Sequence, residues 1–420
     1  MTGKTRSVRR LAAALVLAAL VAAGCSSDDD STQAASSTST TTGTTTTELT
    51  APAGDAFYQP PDPLPPGKPG DVIWAGTVTA PEGTRAWRIL YRSTTVKGDP
   101  TAVSALLFAP ATPPAGGGGP TPILAYAHGT TGLGDRCAPS KQYVEDPARG
   151  EASGITRGLL DKYVVVATDY AGLGTPGVHP YAVGLSEGRD VLDSIRAAQR
   201  FSGDNDLGAT ARSTSVVWGH SQGGGAALLT AELAPTYAPD ANLAGAVAGA
   251  PASELKLLGT ALRTSPFFGY IFMAAAGFHA AYPELDESAI FTPDGIAAVE
   301  KAADSCSSEI VNGYRGKDPN LYMKADPGTT EPFASVLEEN SPGVRATKVP
   351  VFMYHGEADE QIPVIASKLV LDRYCRNGTT AYRKTYPGAT HTGVIPLALA
   401  EIESYIADRV AGKPAPTSCT

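Results

Sequence analysis

Residues 213–229 read STSVVWGHSQGGGAALL, and they constrain the fold more tightly than any other stretch. Residues 214–218 form a β-branched and aromatic run of strand type. Ala226, Ala227, Leu228 and Leu229 are good helix formers. Between the two, Gly219-His220-Ser221-Gln222-Gly223 fits the pattern G-x-S-x-G. A strand that enters a helix through so short a turn holds its serine in a strained conformation with the hydroxyl thrust outward. Gly219 and Gly223 are then small enough to let strand and helix approach. The helix that follows aims its N-terminal N–H groups at negative charge developing beside the serine. The pentapeptide alone also describes a surface turn before a helix, so its partners decide the matter.

A serine hydroxyl needs an imidazole to take its proton and a carboxylate to orient that imidazole. The chain has six histidines. His220 lies on the turn itself, and its side chain is expected to point elsewhere. His128 and His355 each precede a glycine at the end of an apolar run, His179 sits in a Pro/Gly loop, and His279 falls in a long segment between strands. His391 alone follows the last strand-like run, 380–386. For the acid, Asp359 lies just past the run 349–354, with Glu357 as its rival. The chain order Ser221, Asp359, His391 is the one expected of an α/β-hydrolase. Gln222, directly after the serine, offers one N–H to a tetrahedral oxyanion. Thr130, or Gly129 beside it, offers the second from the loop after an early strand.

The rest of the chain supplies the frame. Residues 71–79, 87–93 and 101–108 predict an antiparallel lead-in. Strand-like runs at 122–127, 163–168, 214–218, 243–250, 349–354 and 380–386 then alternate with helical stretches at 187–201, 368–374 and 396–410. This predicts a mostly parallel sheet with helices on both faces. Residues 251–349 are too many for a loop and read as an inserted helical cap or lid, with helical stretches near 294–303 and 330–339. Its aromatics, Phe267, Phe268, Tyr270, Phe272 and Phe278 among them, serve packing first and together suggest an apolar acyl pocket.

With Lys and Arg totalling 33 against 42 Asp and Glu, the net charge is −9 and the body has no dense basic run, which argues against a nucleic-acid partner. Lys4, Arg6, Arg9 and Arg10 precede an apolar run, 11–23, that is too short to span a membrane and reads as a secretion signal ending at residue 25. Ala22-Ala23-Gly24-Cys25 is similar to a bacterial lipobox, with Ala22 where Leu is usual, so Cys25 is a candidate lipidation site and membrane attachment is expected. Ordinary secretion is the alternative. Residues 26–57, rich in Ser and Thr, read as a disordered tether. Cys137, Cys306, Cys375 and Cys419 remain, an even number in an exported chain, and allow three pairings. None is spaced for zinc, and the reading calls for no metal or cofactor. Oligomeric state is not legible.

Several of these pieces together resemble the secretory lipase family of fungal lipase A type. They are Ala127-His-Gly-Thr-Thr-Gly132, Cys137-Ala-Pro-Ser140, Asp169-Tyr-Ala-Gly-Leu-Gly174, Gly219-His-Ser-Gln-Gly223, His355-Gly-Glu-Ala-Asp359 and the late His391. The resemblance covers about residue 58 to the end. It implies a core over 58–250 and 350–420 interrupted by the 251–349 cap, and hydrolysis of fatty acyl esters by Ser221, His391 and Asp359 without a metal. It also implies the disulfides Cys137–Cys306 and Cys375–Cys419. The same triad serves acyltransferases and thioesterases, and the fold also serves as a non-catalytic surface binding protein.

Overall fold

The computed structural model describes residues 50–112, 114, 119–149 and 155–419. The signal-like segment and Cys25 lie outside the described residues. Three strands lead in, β1 (Val72–Thr77), β2 (Thr84–Thr94) and β3 (Pro100–Pro110), followed by β4 (Ile123–Ala127). Helices α1 (Pro139–Glu145) and α2 (Arg157–Leu160) precede β5 (Val164–Thr168), and α3 (Gly184–Asp204) follows it. Next come β6 (Ser215–His220), α4 (Gln222–Tyr237) and β7 (Leu243–Gly249). Five helices then intervene: α5 (Leu255–Arg263), α6 (Gly269–Ala281), α7 (Pro293–Ala302), α8 (Ser307–Tyr314) and α9 (Phe333–Glu339). The chain returns to the sheet with β8 (Val351–Gly356), α10 (Ile365–Asn377), β9 (Ala381–Tyr386) and α11 (Val394–Val410).

The strands form one sheet in the order β1-β2-β3-β5-β4-β6-β7-β8-β9. The expected antiparallel lead-in is present, and β3 also meets β5 antiparallel. Every pairing from β5 to β9 is parallel. Side chains alternate across the sheet. Val164, Val166, Val217, Val351 and Met353 pack toward α3, α4 and α10, whereas Val165, Val216, Trp218, Phe352 and Tyr354 pack toward α1, α2 and α11. Both faces are therefore dry, which is why the strands read as continuous apolar runs.

Two differences from the sequence reading have physical causes. Phe57 and Tyr58 are buried, and the Phe57 carbonyl accepts a hydrogen bond from Trp74 Nε1 at 2.9 Å. The packed body therefore begins before residue 58, because one aromatic pair anchors the end of a polar run. Helix α6 was legible only as an aromatic stretch. It buries Ile271, Phe272, Met273, Ala276 and Phe278, and a helix apolar nearly all round shows no polar stripe to mark its period.

Both disulfides form in the implied pairing, Cys137–Cys306 and Cys375–Cys419. The first joins the loop after β4 to the start of α8. Around it Leu133 N donates to the Ser305 carbonyl at 2.9 Å, and Ser307 N to the Thr131 carbonyl at 2.9 Å.

Candidate active site

Ser221 stands between β6 and α4 with φ 60° and ψ −120°. This is the strained conformation that the G-x-S-x-G pattern predicted. Backbone hydrogen bonds hold it there: Ser221 N donates to the Gly249 carbonyl at 2.8 Å, and its own carbonyl accepts from Ala252 N at 2.9 Å and Gly225 N at 3.1 Å. A Cβ at Gly219 would strike the Gly223 carbonyl, and one at Gly223 the Ala127 carbonyl, so both positions exclude any side chain.

His391 and Asp359 meet as the chain order suggested. His391 Nδ1 lies 2.7 Å from Asp359 Oδ2, and the Asp359 side chain is fully buried. Asp359 Oδ1 accepts from the backbone N–H groups of Gln361 and Ile362 at 2.9 and 2.8 Å. Burial alone would raise this carboxyl's pKa. Hydrogen bonds from His355 and His391, the charge of His391 and the Ile362 N–H overcome it and hold the group well below the usual carboxylate range. The rival Glu357 is exposed and accepts instead from Thr385 Oγ1 at 2.7 Å.

His355 was set aside as a base and has a different place. Its Nε2 lies 3.1 Å from Asp359 Oδ2 and 3.1 Å from the Ile362 carbonyl, and its Nδ1 lies 2.8 Å from Ser367 Oγ. Two acceptors around Nε2 require that nitrogen to carry the proton. His355 is thus a second donor to the same carboxylate oxygen. The i, i+4 spacing of His355 and Asp359 was visible in the sequence, but only the tight turn after β8 turns it into contact.

The ring of His220 stands 4.7 Å from the ring of His391, which sets the imidazole beside the turn that carries Ser221. Burial and the neighbouring His391 push the pKa of His220 down to about 3, so it adds no competing positive charge at neutral pH. Thr130 and Ser221 line one cavity, and Thr130 Oγ1 lies 2.9 Å from the Tyr181 hydroxyl. Gly129 instead presents its carbonyl to His128 Nδ1 at 2.6 Å.

Gln222, the first residue of α4, is locked from below by residues that motif reading missed. Its Nε2 donates to Glu187 Oε1 at 2.7 Å and lies 2.9 Å from His179 Nε2. His179 Nδ1 faces the Ala171 carbonyl at 3.0 Å, so Nδ1 holds the proton and Nε2 accepts. All three side chains are buried.

These buried acids make stability depend on pH. Burial raises the pKa of Glu187 to about 8 and those of Asp169 and Asp190 to about 7, while it lowers His179 to about 3. Between about pH 7.5 and 8.5 the unfolded chain has shed its carboxyl protons and nearly all of its histidine protons. The folded chain still retains part of its carboxyl protons. It therefore binds more protons, and stability falls as pH rises through that window, by up to about 1.4 kcal/mol per pH unit for each proton retained. Below it, unfolded histidines take up protons that His179 and His220 refuse, which opposes the trend. Urea unfolding midpoints should drop steadily from the lower to the upper limit, and a midpoint that rises would contradict this assignment.

Comparison with known proteins bears on family and fold. A family model described as secretory lipase matches residues 149–418. Secreted triacylglycerol lipase LIP4 of Malassezia globosa is 27% identical over 394 residues, covering 89% of this chain and 84% of the relative. A Mycobacterium tuberculosis protein named as a probable inactive lipase is 26% identical over 384 residues, covering 86% and 83%. The crystal structure of Candida antarctica lipase A superposes with a TM-score of 0.74 at 22% identity, covering 88% of this chain and 89% of that one. The fold is that of an α/β-hydrolase.

Proposed function

Since the chain belongs to the secretory lipase family and is a carboxylic ester hydrolase, we propose that Ser221 is its nucleophile, His391 its general base and acid, and Asp359 the carboxylate that orients the imidazole. Ser221 Oγ attacks the ester carbonyl while His391 takes the hydroxyl proton. His391 then passes that proton to the leaving alcohol, which departs and leaves an acyl-enzyme. Water, activated by the same imidazole, releases the acid and frees the serine. The backbone N–H groups of Gln222 and Thr130 stabilise the oxyanion of each tetrahedral intermediate. The buried amide of Gln222, held by Glu187 and His179, supports the first of these roles, because it fixes the residue whose N–H must be aimed.

The observation that carries the reading is the 2.7 Å contact between His391 and Asp359 beside a serine in a strained turn. It favours turnover over a purely binding role, a distinction that matters with a relative named as probably inactive. The cavity that includes Ser221 is lined mainly by hydrocarbon from α5, α6 and α9, which supports residues 251–349 as a cap and an acyl chain of medium or greater length as the group bound. Acyl transfer or thioester cleavage is the alternative reading. Export is supported by the secretory character of the family, and a lipid anchor at Cys25 by the lipobox-like sequence.

A fluorophosphonate probe should label wild-type protein at Ser221 and fail to label Ser221→Ala. On p-nitrophenyl esters from acetyl to palmitoyl, wild type should be most active at octanoyl or longer. An unreactive serine in folded protein would overturn the assignment, and a strong preference for acetate would overturn the acyl-pocket reading.

A further inference from the structure

The wall of the Ser221 cavity is mainly hydrocarbon, with polar groups at Thr130, Tyr181, Tyr270 and Gln361 and a charged pair at the far end of α6. Leu255, Leu258, Leu262, Ile271, Phe278 and Phe291 are among its lining residues, and so are the charge-bearing side chains of His279 and Glu287. Along α6 the lining positions Tyr270, Ile271, Ala274, Ala275, Phe278 and His279 recur at helical spacing. One stripe of the helix therefore faces the cavity over ten residues, about 13 Å. It begins at Tyr270, whose hydroxyl donates to Gln361 Oε1 at 3.2 Å, and ends at His279.

At that end one acceptor is left without a donor. Glu287 Oε1 has no hydrogen-bond partner among the described residues and is itself buried, although its side chain is 16% exposed and that of His279 53% exposed. His279 Nδ1 stands 4.0 Å from it, beyond hydrogen-bonding range. Burial raises the carboxyl's pKa and His279 opposes the rise. A buried polar atom in this condition costs free energy that a suitable ligand group recovers. A single oxygen about 2.8 Å from each atom spans the gap with the two contacts at roughly a right angle. A hydroxyl placed there donates to Glu287 Oε1 and accepts from His279. A methylene group does neither, and it leaves the carboxyl oxygen desolvated against hydrocarbon.

We propose that His279 and Glu287 form a recognition point for a hydroxyl carried on the acyl chain, so that the site's substrate class is esters of hydroxylated fatty acids. This rests on the reading above, in which the cavity receives the acyl group of an ester attacked by Ser221. The distance of the hydroxyl from the ester carbonyl then becomes a selected quantity, because the pair sits at a fixed place on the wall. A free hydroxyl on the leaving alcohol, as in a monoacylglycerol, is the other source of the same chemistry.

The test compares p-nitrophenyl esters of plain and terminally hydroxylated acids from hexanoyl to hexadecanoyl. Within a narrow range of lengths the hydroxylated ester should exceed its plain counterpart in kcat/KM by about tenfold. Glu287→Leu should reverse that ratio by lowering the hydroxylated ester and raising the plain one, whereas Glu287→Gln, which keeps an acceptor oxygen, should preserve the preference. Calorimetry on Ser221→Ala should show the free hydroxy acid binding about tenfold tighter than the plain acid at the same length, a difference lost when Glu287→Leu is added. Plain esters preferred at every length, with equal binding of the two acids, would overturn the proposal. So would a hydroxyl preference seen only between monoacylglycerols and methyl esters. Selective binding of the hydroxy acid by a protein that cleaves no ester would instead sink the nucleophile assignment and leave this one standing.

Discussion

Asp359→Asn is expected to lower kcat on p-nitrophenyl esters by about 10⁴-fold with little change in KM. All the hydrogen bonds described for this carboxylate ask it to accept. Oδ1 takes two backbone N–H groups, and Oδ2 takes His391 Nδ1 and lies within 3.1 Å of His355 Nε2. An asparagine has one acceptor and one donor end. Turned one way, its NH₂ faces the N–H groups of Gln361 and Ile362. Turned the other way, it faces the two imidazoles and stabilises the tautomer of His391 that cannot take the serine proton through Nε2. Either orientation damages the constellation, while side-chain volume hardly changes. Glu357→Gln is the matched control, since Glu357 is exposed and bonded to Thr385, and its kcat should stay within about twofold of wild type. Steady-state kinetics on both variants, with circular dichroism to verify folding, decide between the acids. Equal losses, or a larger loss at Glu357, would reject Asp359.

Gly223→Ala is expected to cost about 3 kcal/mol or more of stability and to abolish activity in whatever protein folds. The added Cβ would lie 2.6 Å from the Ala127 carbonyl carbon and 2.7 Å from the His128 carbonyl oxygen, and it would meet the Ala127 oxygen closer still. Those atoms cannot yield cheaply, because Ala127 ends β4, which is paired on one side with β5 and on the other with β6. Gly203→Ala near the end of α3 offers the contrast. Among the described residues nothing lies within 4 Å of the added Cβ, so this change should be neutral or stabilise by up to about 1 kcal/mol. Denaturant unfolding of the two variants beside wild type reads the difference directly. Comparable stability for both would show that the strand and helix have room to separate.

How much of this was legible in the sequence depended on how local each constraint is. Gly219, Ser221 and Gly223 could be read because the turn needs them within five residues. Asp359 and His391 followed from where they fall relative to the last strands. The pairing of the cysteines was not a matter of spacing and came through family resemblance alone. The lock on Gln222 was invisible for a different reason. His179 and Glu187 are dispersed ahead of the serine, and nothing in their spacing says that a loop and α3 converge beneath the turn. His355 could be excluded as the base, but its contact with Asp359 depends on how sharply the chain turns after β8. The length of α6 was hidden by uniform apolarity, because periodicity carries no signal where nearly every face is apolar.

The attachment at Cys137–Cys306 has a mechanical consequence. Four neighbouring links fasten the Thr130 loop to the start of α8: the disulfide, Leu133 to Ser305, Gly134 to Ser305, and Ser307 to Thr131. That edge of the roof behaves as a riveted seam. If Thr130 supplies an oxyanion N–H as proposed, any displacement of the start of α8 would carry that group with it. The seam therefore holds the loop that carries Thr130 and the start of α8 in register with each other.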